Sequence, residues 1–173
     1  MTSYLTAFLN TPILSRIRRN HGLEHATIHI LAKRVSGIAL AGHSDSGGFW
    51  LVGEVSTEQV STAVTQALQR LRAGEAQLAI HPNCGTNFVT SGTAAGVAGA
   101  FAMLGAGPRG RDKLERFPLA AMLATLALIV SRPLGSRIQQ HITTSGVPGN
   151  LEIMEIKPSR RGLLTAHRVV TRG

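Results

Sequence analysis

Apolar and polar positions change rhythm along the chain, and each change predicts an element. Thr11 followed by Pro12 reads as a helix start, with Thr as the capping residue and Pro at the first helical position. The helix runs through "ILSRIRRNHGLEHATIHILAKRV" and is expected to stop near Ser36-Gly37, where glycine takes the left-handed conformation. Gly22 weakens it locally and predicts a kink or a close approach. Two short apolar runs, "GIALAG" and "FWLVGEV", flank "HSDSGG" and read as an antiparallel hairpin. Ser56 with Gln59 forms a capping box for the next helix, which carries Val60, Ala63, Val64, Ala67, Leu68 and Leu71 at helical spacing and ends at Gly74. "AQLAI" then reads as a third strand. Helix, hairpin, helix and strand make an α+β unit.

Beyond Glu75 the pattern loses its polar half. No Asp, Glu, Lys or Arg occurs from Ala76 to Pro108. "FVTSGTAAGVAGAFAMLGAG" is long enough for a bilayer core of ~30 Å. Gly92, Gly96 and Ala100 offer small-residue spacing for close helix packing. A charged loop, "RGRDKLER", separates it from "FPLAAMLATLALIVS", which is short for a span unless Arg132 snorkels and "PLG" contributes. Two adjacent segments of this kind predict a transmembrane hairpin, the alternative being a buried helical hairpin in a soluble core. The tail alternates apolar and polar residues on either side of "PSRRG" and reads as a second hairpin that completes the sheet. The expected organisation is an α+β part over 1–87, an apolar helical hairpin over 88–136 and a β-hairpin over 137–173.

Charge sharpens this picture. The 173 residues carry 18 Lys and Arg against 9 Asp and Glu, yet the mean hydropathy is positive, so the apolar stretches are concentrated. A basic excess suits nucleic acid or an anionic membrane surface. Aromatics are only 4% of the chain, too few for the interleaved stacking of single-strand binders, which argues against nucleic acid and for a lipid bilayer as partner. At the N-terminus the arginines follow the apolar residues, the reverse of a secretory signal. Tyr4, Leu5, Phe8 and Leu9 form either a short interfacial helix, with Arg16, Arg18 and Arg19 at headgroup level, or an apolar terminus packed on the domain. The basic residues flanking the two apolar segments balance. The others lie in the terminal segments, which places both termini in the cytoplasm and the chain in the inner membrane. A lone cysteine excludes an internal disulfide.

The chemistry concentrates in two stretches. In "HGLEHATIHIL", His21 and His25 project from one helix face a turn apart, so that two imidazoles reach one ion. Glu24 completes H-x-x-E-H, in which the histidines bind Zn²⁺ and the glutamate is general base to water. The alternative is an amphipathic helix with hydrogen-bonded histidines. In "HPNCGTNF", His81 and Cys84 can bring an imidazole and a thiolate together across a Pro-Asn turn, and Cys84 lies near a helix N-terminus that favours thiolate. The alternative there is a turn with an inert cysteine. His21, His25, His81 and Cys84 make four candidate ligands for a divalent ion, most simply Zn: a closed site if all bind, an open one if three bind with water. His29 shares the stripe as a ligand or supporting residue, His141 can lie near the same membrane face, and His43 and His167 are expected at the surface.

From His21 to about Glu155 these motifs, with "PLGSRIQQHITTS" and "LEIMEI", resemble the YqhQ-like bacterial membrane proteins and a smaller related group. The resemblance implies membrane location and metal binding, carried by His21, Glu24, His25, His81 and Cys84, and it supplies no substrate. Ala26 stands where that family usually has Lys. Three functions remain open: a membrane-embedded metal-dependent hydrolase acting on a small molecule, peptide or lipid, a non-catalytic membrane protein with a structural metal or a His/Cys/Glu network, and a structural or interaction domain without metal.

Overall fold

The computed structural model describes residues 2–35, 37–162 and 164–173, with the side chains of Thr2, Ser3 and Arg161 outside the description. Two compact units divide the chain, one made of Met1–His81 and Gln140–Gly173, the other of Pro82–Gln139.

The first unit begins with α1 (Thr2–Leu9) and α2 (Pro12–Arg34). Pro12 opens α2 as expected. The Thr11 hydroxyl, however, makes no cap and donates instead to the Phe8 carbonyl, 2.8 Å away. The expected stop at Ser36 lies outside the described residues, and Gly37 beyond it takes the left-handed φ of 77°. Strands β1 (Ala41–Asp45) and β2 (Gly48–Val52) form a hairpin whose Asp45 carboxylate accepts from the Gly47 N–H at 2.7 Å. The strand is therefore "AGHSD" rather than "GIALAG": Ile38 and Leu40 spend their apolar surface on the core from irregular backbone. Helix α3 (Thr57–Arg72) carries the full Ser56–Gln59 capping box and ends before Gly74, whose φ is 95°. The long tail strands β3 (Glu152–Arg161) and β4 (Leu164–Arg172) complete one four-stranded antiparallel sheet in the order β1-β2-β4-β3.

Period-2 alternation decides what the sheet buries. Phe49 and Leu51 of β2 and Val169 of β4 point into a core closed by Leu23, Ile30 and Leu31 of α2 and Val60, Val64, Leu68 and Leu71 of α3. On the opposite face Trp50 and Arg168 are cross-strand partners. The guanidinium lies 5.4 Å from the indole centroid and is held by both carboxylate oxygens of Asp45 at 2.7 and 2.8 Å. That ion pair keeps the Asp45 carboxyl below its ordinary range. Buried Asn20 ties the layers together: its amide donates to the Asp45 carbonyl at 2.8 Å, and its oxygen accepts from Thr171 at 2.7 Å.

Two expectations fail here. "AQLAI" is a 3₁₀ turn, Ala76–Ala79, without a strand partner. The carbonyls of Ala79 and Ile80 are taken by histidines of α2, so no ladder needs them. His167 is buried (1% exposed). It shares the core face with Val169 and Thr171 two and four positions on, and its Nε2 pairs with the Thr57 hydroxyl at 3.1 Å. Arg18 and Arg19 bond to backbone carbonyls and to Asn150 of the same unit.

The second unit is the antiparallel pair α4 (Gly85–Met103) and α5 (Gly110–Val130), followed by α6 (Arg132–Ile138) and the start of a π-helical turn, Gln139–Thr143. Gly92 and Gly96 face open space. The less exposed positions of α4 include Thr90, Ser91, Ala94, Ala95, Ala98 and Gly99, leading to buried Ala102. Close approach occurs at Gly135, where an added Cβ would stand 3.1 Å from Asn87 Cα. Helix α5 buries none of its residues, and Phe88, Phe101, Phe117, Ile129 and Val130 are all more than half exposed. Among the described residues no single helix is long and apolar enough to cross a membrane; α5 and the run Arg132–Thr143 pass together only as a pair bent by 46°.

Candidate metal centre

Helix α2 supplies the row of histidines. Steps of four residues advance about 40° around a helix, so His21, His25 and His29 drift slowly along one face, while Glu24 lies about 60° to the other side of His21. The face is brought to its partners by Gly22. A Cβ there would stand 3.0 Å from the Ser145 carbonyl carbon and 3.2 Å from Ala79 Cβ, so glycine lets both the 143–145 segment and the 76–80 strap lie against the helix. The Ser145 N–H donates to the Arg18 carbonyl at 2.9 Å, fixing the first of these.

Both segments hold histidines through backbone carbonyls. His21 Nδ1 donates to Thr143 O at 3.0 Å, and His25 Nδ1 donates to Ala79 O at 2.7 Å. Each bond sets the tautomer and leaves Nε2 as the nitrogen with the lone pair. His29 is held the opposite way, by Nε2 to Ile80 O at 2.9 Å. The ring centroids of His21 and His25 are 4.4 Å apart. His81 continues the row, 5.6 Å from His25 and 4.8 Å from His29. Burial, with the neighbouring His29 and His25, pushes the His81 pKa down to about 4, so the ring is neutral at pH 7.

Glu24 faces another way. Its carboxylate is buried and accepts a short hydrogen bond from the Ser44 hydroxyl on β1. Gly42 makes room for it, since a Cβ there would stand 2.8 Å from Glu24 Cγ. Burial raises the Glu24 carboxyl pKa, opposed by the Ser44 bond and by His21 and His43. Cys84 is buried at the start of α4, where its sulfur accepts from the Thr86 N–H at 3.4 Å.

The row thus contains His21, His25 and His81 from the sequence motifs, with His29 beside them, while Glu24 points to the sheet. His43 is exposed on the edge strand β1, and His141 is exposed after α6. The carbonyls of Ala79, Ile80 and Thr143 left no trace in the sequence, because every residue type offers that group. Ser44 was detectable only as a hydroxyl in the hairpin.

The model of a domain of unknown function, DUF6391, matches residues 16–156. An uncharacterised protein of Picosynechococcus sp. is 39% identical over 151 residues, covering 82% of this chain and 71% of that protein. These matches add nothing to the YqhQ-like resemblance. No solved structure matches the chain.

Proposed function

The chain belongs to the DUF6391 family, and we propose that it is a membrane-associated, metal-dependent hydrolase in which His21, His25 and Cys84 hold a divalent ion, most simply Zn. The observation that carries this reading is the pair of Nδ1–carbonyl bonds, which presents two Nε2 lone pairs from rings 4.4 Å apart. Cys84 is three residues along the chain from His81, within about 10 Å of backbone reach, and it adds a sulfur donor. Three protein donors suit an open, catalytic site better than a closed structural one, with His81 a neutral ring further along the row. When bound, such an ion supplies Lewis-acid polarisation and makes a water easier to deprotonate. Glu24 would be the base for that water on turning from the Ser44 hydroxyl, which holds Oε2 on the β1 side; burial raises its pKa, in the direction that suits a general base at neutral pH.

Membrane association rests on the second unit. Helices of 19 and 21 residues reach about 28–32 Å, and their large apolar side chains are exposed. We place this hairpin in the cytoplasmic membrane with the termini in the cytoplasm.

The test measures metal content together with turnover of chromogenic ester and phosphoester substrates. One bound Zn per chain and a fall in kcat/KM of about 10²–10⁴ in Glu24→Gln, with metal retained, support the hydrolase. The Glu24–Ser44 bond also favours a second reading, in which Glu24 braces α2 on β1 and the metal is structural. Stoichiometric metal with turnover unchanged in Glu24→Gln selects that one.

A further inference from the structure

The strap that holds the histidine row has a second side. A cavity of about 370 Å³ opens there, and Arg18, Gln77, Gln140 and His141 supply its polar side chains. Its size falls in the range of small-molecule sites, about 300–1,000 Å³. Ala79 and Ile80 also line it, and their carbonyls are the ones that hold His25 and His29. Thr144, another wall residue, follows Thr143, which holds His21. The cavity and the histidine row are thus separated by single backbone segments.

The electrostatics of the wall are one-sided. None of the lining residues is acidic. Arg18 is fixed there by its Nη2, which donates to the carbonyls of His141 at 3.2 Å and Thr144 at 3.3 Å. These acceptors are dipoles without formal charge. Arg70, Arg168 and Arg172 each pair with a carboxylate, whereas among the described residues no ion pair joins Arg18 to one. A half-buried guanidinium without a counter-charge, beside an imidazole and two carboxamides, is a receptor for an oxyanion. Burial also lowers the Arg18 pKa, the sign of a cation short of compensation.

We propose that this cavity binds a phosphate-sized oxyanion, with Arg18 supplying charge and His141, Gln77 and Gln140 supplying N–H donors. Resting on the hydrolase reading for what happens next, the anion is the charged group by which a substrate is anchored beside the histidine row. A phospholipid headgroup and a soluble phosphate ester share this chemistry.

The full chain, stripped of metal by chelation, is titrated with inorganic phosphate by calorimetry. Saturable binding at one site is expected. It weakens at least tenfold in Gln140→Glu and in His141→Glu, exposed positions where a carboxylate repels the anion and competes with it for Arg18. Arg18→Gln is expected to abolish it, with circular dichroism checking the fold. Binding that persists in His25→Ala, a variant chosen to lose zinc, supports the cavity independently of the metal reading. Retention of phosphate binding by wild-type protein that takes up no zinc also supports the cavity, while defeating the hydrolase. Absence of phosphate binding in the wild type, unchanged binding in both glutamate variants, or its disappearance in His25→Ala overturns the proposal. Dihexanoyl phosphatidate titrated in parallel identifies the source. Tighter binding than inorganic phosphate assigns the site to a lipid headgroup, equal binding assigns it to a soluble phosphate, and both support an oxyanion site.

Discussion

Replacing His81 by glutamine removes one titrating ring from the histidine row while keeping a polar side chain of similar size. An ordinary histidine takes its proton near pH 6.5, whereas folded His81 takes one only near pH 4. Between these values the unfolded chain binds a proton that the native state does not, so stability rises with pH across the window and is lost as pH falls through it. The fall from 6.5 to about 4 sets a ceiling of about 3.4 kcal/mol. The ring is only half-buried, and solvent screening reduces this to about 1–2 kcal/mol. Urea denaturation of metal-free protein, followed by circular dichroism at steps from pH 7 to pH 4, measures it. The wild type is expected to lose about 1–2 kcal/mol more than His81→Gln over that range. Comparing the two proteins cancels His167, whose pKa is also lowered by burial. Parallel curves, or a steeper loss in the variant, would refute the claim that His81 stands neutral among its neighbours.

Ser44→Ala leaves burial less opposed at Glu24, so the Glu24 carboxyl, followed by NMR of labelled glutamate, is expected to titrate at higher pH than in wild type; a downward move contradicts its placement. Asn20→Ala strips partners from the Asp45 carbonyl and the Thr171 hydroxyl and should cost about 1–3 kcal/mol in urea denaturation. Ser56→Ala removes the α3 capping box and is expected to cost about 1 kcal/mol by the same assay, an effect on stability with zinc affinity unchanged.

Local signals carried much of this fold. Pro12 and the Ser56–Gln59 pair marked where α2 and α3 begin, because caps act within a few residues, and the alternation around "PSRRG" marked the tail hairpin, although β3 runs on through residues 158–161 instead of turning there. What failed was decided by distant partners. "AQLAI" has the apolar content of a strand, but its carbonyls meet histidines more than 50 positions earlier in the chain and it curls into a 3₁₀ turn. His167 reads as a surface residue by type, although Val169 and Thr171 share its face. Within the site, His21, His25 and His81 were legible from spacing. That Glu24 would turn to Ser44 was not, since the H-x-x-E-H motif does not say which neighbour the glutamate faces.

Cobalt substitution tests the metal centre most directly. Cys84 is the only cysteine of the chain, so a sulfur-to-cobalt charge-transfer band in the ultraviolet reports that residue alone. One equivalent of Co²⁺ is expected to produce this band together with the visible absorption of a tetrahedral ion. Cys84→Ser should lose the charge-transfer band, and His21→Ala and His25→Ala should each lose the tetrahedral signature. Failure of the wild-type protein to bind Co²⁺ or Zn²⁺, or a cobalt spectrum identical in Cys84→Ser, would contradict a centre built from His21, His25 and Cys84.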